Sequence, residues 1–402
     1  MAVDEPGVVR LSLGQALERF RRQNLKLEAA KYEIGAARAD VIAAGLMPNP
    51  LVDLGAGFRI HGDSQGADRQ YQIMLSQSLP LWGRLGASKA AAELNVSATE
   101  REFAASAWQL LGDVRRAYLE LQLAEGHQRV LSAGLADLER VQRVLDARAA
   151  AGANPAYDRV RLEVERASLR ARIAGTVAEL ARARAELGAA IGGQPSAEPL
   201  LPSEALPEPH GETRELSALV RRALERRQEI AAGRFQSSAA EARVRATRKR
   251  FVPEPALGIG YSRYTTIGGL PDSAGGALLA SASIPLPLFD RGQGTVDRAV
   301  QQSRAARVRE RDVKHGVERE VALAAEQLRL ATAAYVAFRS DASQNATNVR
   351  RIAEVTYREG RGTILELLDA YSSYLRVEEQ GLELRGAAVT AGVELEQALG
   401  AE

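Results

Sequence analysis

The strongest constraint on this chain is a junction that it uses twice. "QSLPLWGRLG" (Gln77 to Gly86) reads as the end of a strand, meets Pro80 and opens straight into a helical stretch. "IPLPLFDRGQ" (Ile284 to Gln293) repeats that order about half a chain later. Aligned, Trp82 falls on Phe289 and Arg84 on Arg291, an offset of 207. Upstream, "LMPNPLVDLGAG" (Leu46 to Gly57) matches "FVPEPALGIGYS" (Phe251 to Ser262) at an offset of 205. Downstream, Gly152 matches Gly360 at 208. Three landmarks in register argue for an internal duplication. The expected organisation is a first repeat over 1–192, a Pro-rich linker over 193–212 and a second repeat over 213–402.

Each repeat reads alike. A helix (about Leu25 to Leu46, then Arg227 to Arg250) stops at a Pro-x-Pro, because proline cannot continue a helix and pushes its predecessor toward extended geometry. A hairpin follows, at about 50–82 and about 255–288. Its strands alternate: Val52, Leu54, Ala56, Phe58 and Ile60 share one face, as do Tyr71, Ile73 and Leu75. In the second repeat Leu257, Ile259 and Tyr261 share one face, and Leu278, Ala280, Ala282 and Ile284 another. Two long helices come next, at about 83–191 and about 293–399. Phe103, Leu110, Ala117, Ala124, Leu131, Leu138 and Leu145 recur every seven residues, with Gln128 as a polar break in the second register. A helix of roughly 68 residues is roughly 100 Å long. It is expected to turn at Gly152 and return through Pro155 to Ile191; its counterpart runs unbroken to Arg358, turns at Gly360 and returns to Leu399.

Four strands cannot close a spanning barrel, since such barrels start at about eight strands and leave no edge. Sharing solves this: several chains contribute four strands each, and a ring of protomers also covers the seams of the long helices. The junction is then where a β-barrel becomes an α-helical barrel. Composition agrees. With 53 Lys+Arg against 51 Asp+Glu the chain lacks the basic excess of a nucleic-acid binder, so no nucleic acid is expected. It has no cysteine and no run of ~18 apolar residues that would predict a transmembrane helix. The start lacks a secretory pattern, so on the sequence alone either the chain is cytosolic or a signal peptide has been removed.

These features, and above all "YREGRGTILELLDA" (Tyr357 to Ala370), resemble the TolC-like outer membrane efflux proteins, over nearly the whole chain. The resemblance implies a homotrimer whose 12-stranded outer-membrane barrel, four strands per protomer, continues into a long periplasmic α-helical barrel. It implies the exit duct of a tripartite efflux system in a Gram-negative bacterium, with its signal peptide removed, docked to a periplasmic adaptor and so, indirectly, to an inner-membrane pump. The compact length and short loops look most like the heavy-metal cation branch; a drug or protein duct of the same fold is the alternative. A soluble coiled-coil scaffold would have no use for four alternating strands.

Glu366 and Asp369 lie three apart on one helical face. On spacing alone they are equally a solvated acidic face; in a three-fold bore they make two carboxylate rings that favour cations, a selectivity gate. They match the acidic gate positions of the family. The resemblance further implies an aperture tie between Tyr357 and Asp158. The family's next tie, an arginine, falls on Gly362, with Arg361 adjacent. Arg148, Gly152, Asn154, Arg358 and Gly360, around the two turns, are the expected adaptor-contact tips, or simply turn chemistry. His61, His127, His210 and His315 are scattered without metal-ligand spacing, so no metal site and no cofactor are expected. No nucleophile elbow, Walker loop or Rossmann fingerprint is present, which argues against an enzyme.

Overall fold

The computed structural model describes residues 9–58, 60, 69–150, 156–192, 200–212, 214–265 and 274–400. Helices dominate. In chain order the elements are β1 (Val9–Leu11), α1 (Leu13–Gln23), α2 (Leu25–Gly45), β2 (Leu51–Phe58), β3 (Arg69–Ser78), α3 (Arg84–Ala150) and α4 (Ala156–Ile191). Then come β4 (Leu200–Pro202), α5 (Leu216–Arg226), α6 (Gln228–Arg250), β5 (Ala256–Thr265), β6 (Ala274–Ser283) and α7 (Gln293–Phe338). A π-turn (Arg339–Ser343), α8 (Gln344–Arg358) and α9 (Ile364–Leu399) complete it. Two compact units result, and neither is one half of the chain. The larger takes Met1–Ala30, Phe103–Gln228 and Lys314–Glu402; the smaller takes Lys31–Glu102 and Glu229–Val313.

In the smaller unit the four hairpin strands form one antiparallel sheet of order β2-β3-β5-β6. Register decides its character. Val52 pairs Leu75, which pairs Ile259; Leu54 pairs Ile73, which pairs Tyr261 and then Leu278. The alternating apolar residues of all four strands therefore fall on one face, as expected of a period-two pattern in register. The other face carries mostly small and polar residues, among them Asp53, Gly55, Gln70, Gln72, Gly258, Ser262 and Ser281. Among the described residues nothing covers the apolar face: Leu54 is 76% exposed, Ile259 70% and Leu278 89%. Phe58 and Tyr71 meet edge to face, with centroids 6.1 Å apart. Trp82 and Phe289, beyond the other strand ends, are exposed too.

The junctions are built from both halves of the sequence. Leu79 N–H donates to the Pro255 carbonyl at 2.8 Å, and the Trp82 indole donates to the Pro253 carbonyl at 2.8 Å. Arg84 Nε meets Glu254 Oε1 at 2.8 Å, with both side chains largely withdrawn from solvent. Each long helix then starts on a glycine in the left-handed region, Gly83 (φ +70°) and Gly292 (φ +76°), whose carbonyls accept from Ala87 and Val296. Only glycine takes that φ without strain.

The larger unit holds the heptad seam. Ala117, Ala124, Leu131, Leu138 and Leu145 of α3 are buried, and Phe103 and Leu110 partly so. One core packs α1, the start of α2, α3, α4 and β4 around Phe20, Tyr118, Leu121 and Leu187. A second packs α3, α4, α8 and α9 around Leu138, Leu145, Leu162, Tyr357 and Leu367.

Three features depart from the sequence reading. The Pro-rich linker, without a pattern in the sequence, has local structure: Leu200–Pro202 pairs in parallel with Val9–Leu11, Leu206 is buried, and the Gln122 amide donates to the Glu204 carbonyl at 3.0 Å. The expected unbroken helix to Arg358 is interrupted by the π-turn. There the run "RSDASQNAT" offers side chains that compete for backbone carbonyls, Ser340 donating to Ala337 and Asn345 to Asp341. Finally, one 18-residue window within Gln293–Arg358 reaches mean hydropathy 1.2, long and apolar enough by composition to cross a membrane. That helix is Ala-rich rather than uniformly apolar, and buries Val321, Ala324 and Leu328 while exposing Leu323 and Leu330.

A glycine contrast tests the junction. At Gly292 an added methyl would meet both the positive φ and the Phe251 ring, whereas at Gly294 it would meet open space. Gly292→Ala should cost at least about 2 kcal/mol, and Gly294→Ala should gain about 0.5–1 kcal/mol, read as opposite shifts of the thermal unfolding midpoint.

Candidate functional site

The second core of the larger unit brings together the residues around the α8–α9 turn. Tyr357, 2% exposed, closes the last turn of α8. Its hydroxyl donates to Asp158 Oδ2 at 2.7 Å. Asp158 sits in the first turn of α4, where the helix dipole favours a carboxylate. Arg148, near the end of α3, lies over the Tyr357 ring at 4.9 Å. The expected Tyr357–Asp158 pair is thus in contact, and it pins α8 to α4. Arg148, expected among the adaptor-contact tips, also packs on the Tyr357 ring.

Arg361 does not join it. Its guanidinium lies 3.5 Å from Glu359 and is largely exposed. Its backbone is engaged in the turn: the Arg361 N–H donates to the Thr356 carbonyl at 3.0 Å and the Gly360 N–H to the Tyr357 carbonyl at 3.0 Å. With Gly360 at φ +78° this is a Schellman closure, which needs a residue tolerant of the left-handed region. Arg358 pairs with Glu354 one turn back at 2.9 Å. Gly152 and Asn154 lie outside the described residues, as does His61.

Glu366 and Asp369 are exposed on α9, opposite buried Leu367, Leu368 and Tyr371. Glu366 also has a local task. Its carboxylate accepts from the Thr363 N–H at 2.8 Å while its own N–H donates to Thr363 Oγ1 at 3.3 Å, a capping box that starts α9. Such a box needs a side-chain acceptor at this position, not a charge.

A second cluster lies two turns up α8 and was not anticipated. Arg350 Nη1 meets Asp137 Oδ2 at 2.6 Å, across 213 positions of sequence. Its guanidinium stacks on the Tyr374 ring at 4.0 Å and lies 5.9 Å from that of Tyr371. Asp137 is buried on α3 and also holds Arg140. Tyr371 reaches Glu354 at 3.4 Å. The seven-residue spacing of Arg350 and Tyr357, one helical face, was the only signal in the sequence. Among the described residues no group of three or more His, Asp or Glu side chains converges to hold a metal ion; His127 contacts Glu179 and His315 contacts Glu318.

The family pattern described as outer membrane efflux protein matches residues 16–193 and 219–401. The chain belongs to the outer membrane efflux protein family. It is an outer-membrane protein of efflux. The cobalt-zinc-cadmium resistance protein CzcC of Cupriavidus metallidurans is 25% identical over 397 residues, 97% of this chain and 90% of its own length. The pyoverdine export outer membrane protein OpmQ of Pseudomonas putida is 25% identical over 421 residues, 96% and 85% respectively. The fold matches a crystal structure of CusC, a study of folding and transmembrane channel formation, with TM-score 0.76 at 21% identity, covering 98% of this chain and 94% of that one.

The tie carries a pH signature. Burial first, and then the hydrogen bond to the Asp158 carboxylate, push the Tyr357 hydroxyl up to about 12. A raised folded value means that the tie contributes fully below the ordinary tyrosine value of 10 and is lost as pH rises from there through about 12. Tyr357→Phe should cost about 1.5–3 kcal/mol at neutral pH. The difference in unfolding midpoint between parent and variant should stay flat up to pH 10 and shrink above it; an unchanged gap at pH 12 would contradict the assignment.

Proposed function

We propose that three copies of this chain form the outer-membrane exit duct of a tripartite efflux system, passively conducting divalent heavy-metal cations. One observation carries the duct. The four-stranded sheet presents a continuous apolar face that none of the described residues covers, and among them its outer strands β2 and β6 each pair on one side only. Strands of 8 to 10 residues suit a bilayer's hydrocarbon core. In lipid an unpaired edge is not tolerated, so β2 of one copy must meet β6 of another. Three copies give twelve strands, the number implied by the resemblance to TolC-like proteins. The exposed aromatic residues near both strand ends fit the girdles at the two membrane interfaces.

In this reading the repeats 1–192 and 213–402, joined by 193–212, each supply one hairpin and one pair of long helices. The sheet becomes the barrel and the helices a periplasmic tunnel. The α8–α9 turn is its narrow end, held by Tyr357 and Asp158, and the contacts to a periplasmic adaptor are Arg148, Arg358 and Gly360, together with Gly152 and Asn154, which lie outside the described residues. Arg361, exposed and paired among the described residues with Glu359, is left for a neighbouring copy or the adaptor. Glu366 and Asp369, repeated three-fold, line the bore with six carboxylates and favour cations. Metal cargo is supported by that acidity and by the likeness to CzcC; the likeness to OpmQ supports an organic cargo on the same scaffold.

Two experiments test this. Deleting the gene in its host should increase sensitivity to cobalt, zinc and cadmium, with rescue by the parent gene. Unchanged metal tolerance beside a loss of organic export would give the cargo to the alternative. In planar bilayers, Glu366→Gln with Asp369→Asn should lower the cation-to-anion permeability ratio severalfold. Gln can still serve the capping box, so α9 keeps its start and charge alone is removed. An unchanged ratio would remove the gate assignment.

A further inference from the structure

Tyr357 has a partner on its own helix face whose role the proposed tie does not cover. Arg350 is seven residues before it, so both side chains leave α8 in the same direction. Tyr357 reaches α4 and Arg350 reaches α3. The Arg350 contact is the more elaborate of the two: a 2.6 Å ion pair to Asp137, whose side chain is 11% exposed, and a guanidinium stacked 4.0 Å over Tyr374 of α9. Helix α8 needs such anchors, because Tyr357 is its only buried residue among those described. Val349, Ile352 and Val355 all face outward. At its upstream end it is joined to α7 through the π-turn, and at its downstream end through the Gly360 turn. A helix with little core of its own, set between two irregular segments, is held by its polar contacts.

We infer that Arg350 is a positioning residue for conduction: with Asp137 and Tyr374 it forms a second lock that holds α8 against α3 and α9 and keeps the α8–α9 end narrow. The inference rests on the reading of that end as the closed one. An arginine suits the task, since a planar guanidinium can pair with a carboxylate along its edge and stack on an aromatic ring with its face at once. Lysine can supply only the charge. Asp137 also holds Arg140, so removing Arg350 leaves the acid partnered and the fold in place.

The test uses the full chain as a purified channel in planar bilayers. Arg350→Gln should raise mean conductance about threefold or more, as a small bias toward an open state does in a two-state equilibrium. Arg350→Lys should recover part of the loss, and Arg350→Gln with Tyr357→Phe should conduct more than either single variant. Because the chain has no cysteine, spin labels at Arg143→Cys and Arg351→Cys report the α3–α8 separation directly; Arg350→Gln should lengthen or broaden that distance. If Arg350→Gln changes neither conductance nor distance, the lock is refuted, and a conductance rise in Tyr357→Phe would show that the closed-end reading survives it. If the distance broadens while conductance stays at the parent level, the pair is packing and not a lock on conduction, which also refutes the inference. Should Tyr357→Phe be silent as well in that case, the closed-end reading falls with it.

Discussion

Everything in the proposed duct follows from the cost of an unpaired backbone in lipid. A free strand edge leaves N–H and C=O groups with no water to replace the missing partner, at several kcal/mol each. The chain makes four strands in register, puts their apolar side chains on one face, and leaves both edges open. A soluble sheet would bury that face under its own helices. Here it stays bare, and the same chain invests instead in helices of 67 and 46 residues that start from glycines at the strand ends. In the proposed duct, closure by copies of itself would satisfy the edges and give the helices neighbours.

The α8–α9 end follows a different logic. Helix α8 itself buries little, while α3, α4 and α9 share a large apolar core, and specific polar contacts position α8 and the turn: Tyr357 to Asp158, Arg350 to Asp137 and the Thr363–Glu366 box. Such contacts are strong when dry and individually replaceable, which in the proposed duct would let the end hold one arrangement and still leave it. The Glu366 carboxylate starts α9 through its capping box, and in that proposal its charge would also face the cargo.

Much of this was legible in the sequence because the signals were periodic. Period-two alternation located the strands to within a few residues, and the heptad from Phe103 to Leu145 located the buried seam of α3. Tyr357 and Asp158 were legible through the motif around Tyr357. Other features have no periodic trace. A three-residue parallel ladder between Val9–Leu11 and Leu200–Pro202 is too short to show a pattern, so the sequence shows only a Pro-rich linker there. The π-turn arises from local competition for carbonyls in a polar run, which helix propensity alone does not separate from an ordinary turn of helix. Arg350 and Asp137 stand 213 residues apart, and only the folded seam joins them. Arg361, next to Gly362 where the family carries an arginine, pairs with Glu359, and nothing in the sequence pattern distinguishes that partner from Asp158.

The most direct test of the shared barrel is the protein mass per particle in detergent, by light scattering coupled to size exclusion. A chain of 43.2 kDa predicts roughly 130 kDa of protein for three copies, with the assembly requiring detergent to stay soluble. A detergent-independent monomer or dimer would contradict the account, because the apolar face and both strand edges would then have to be satisfied without a membrane or a third copy.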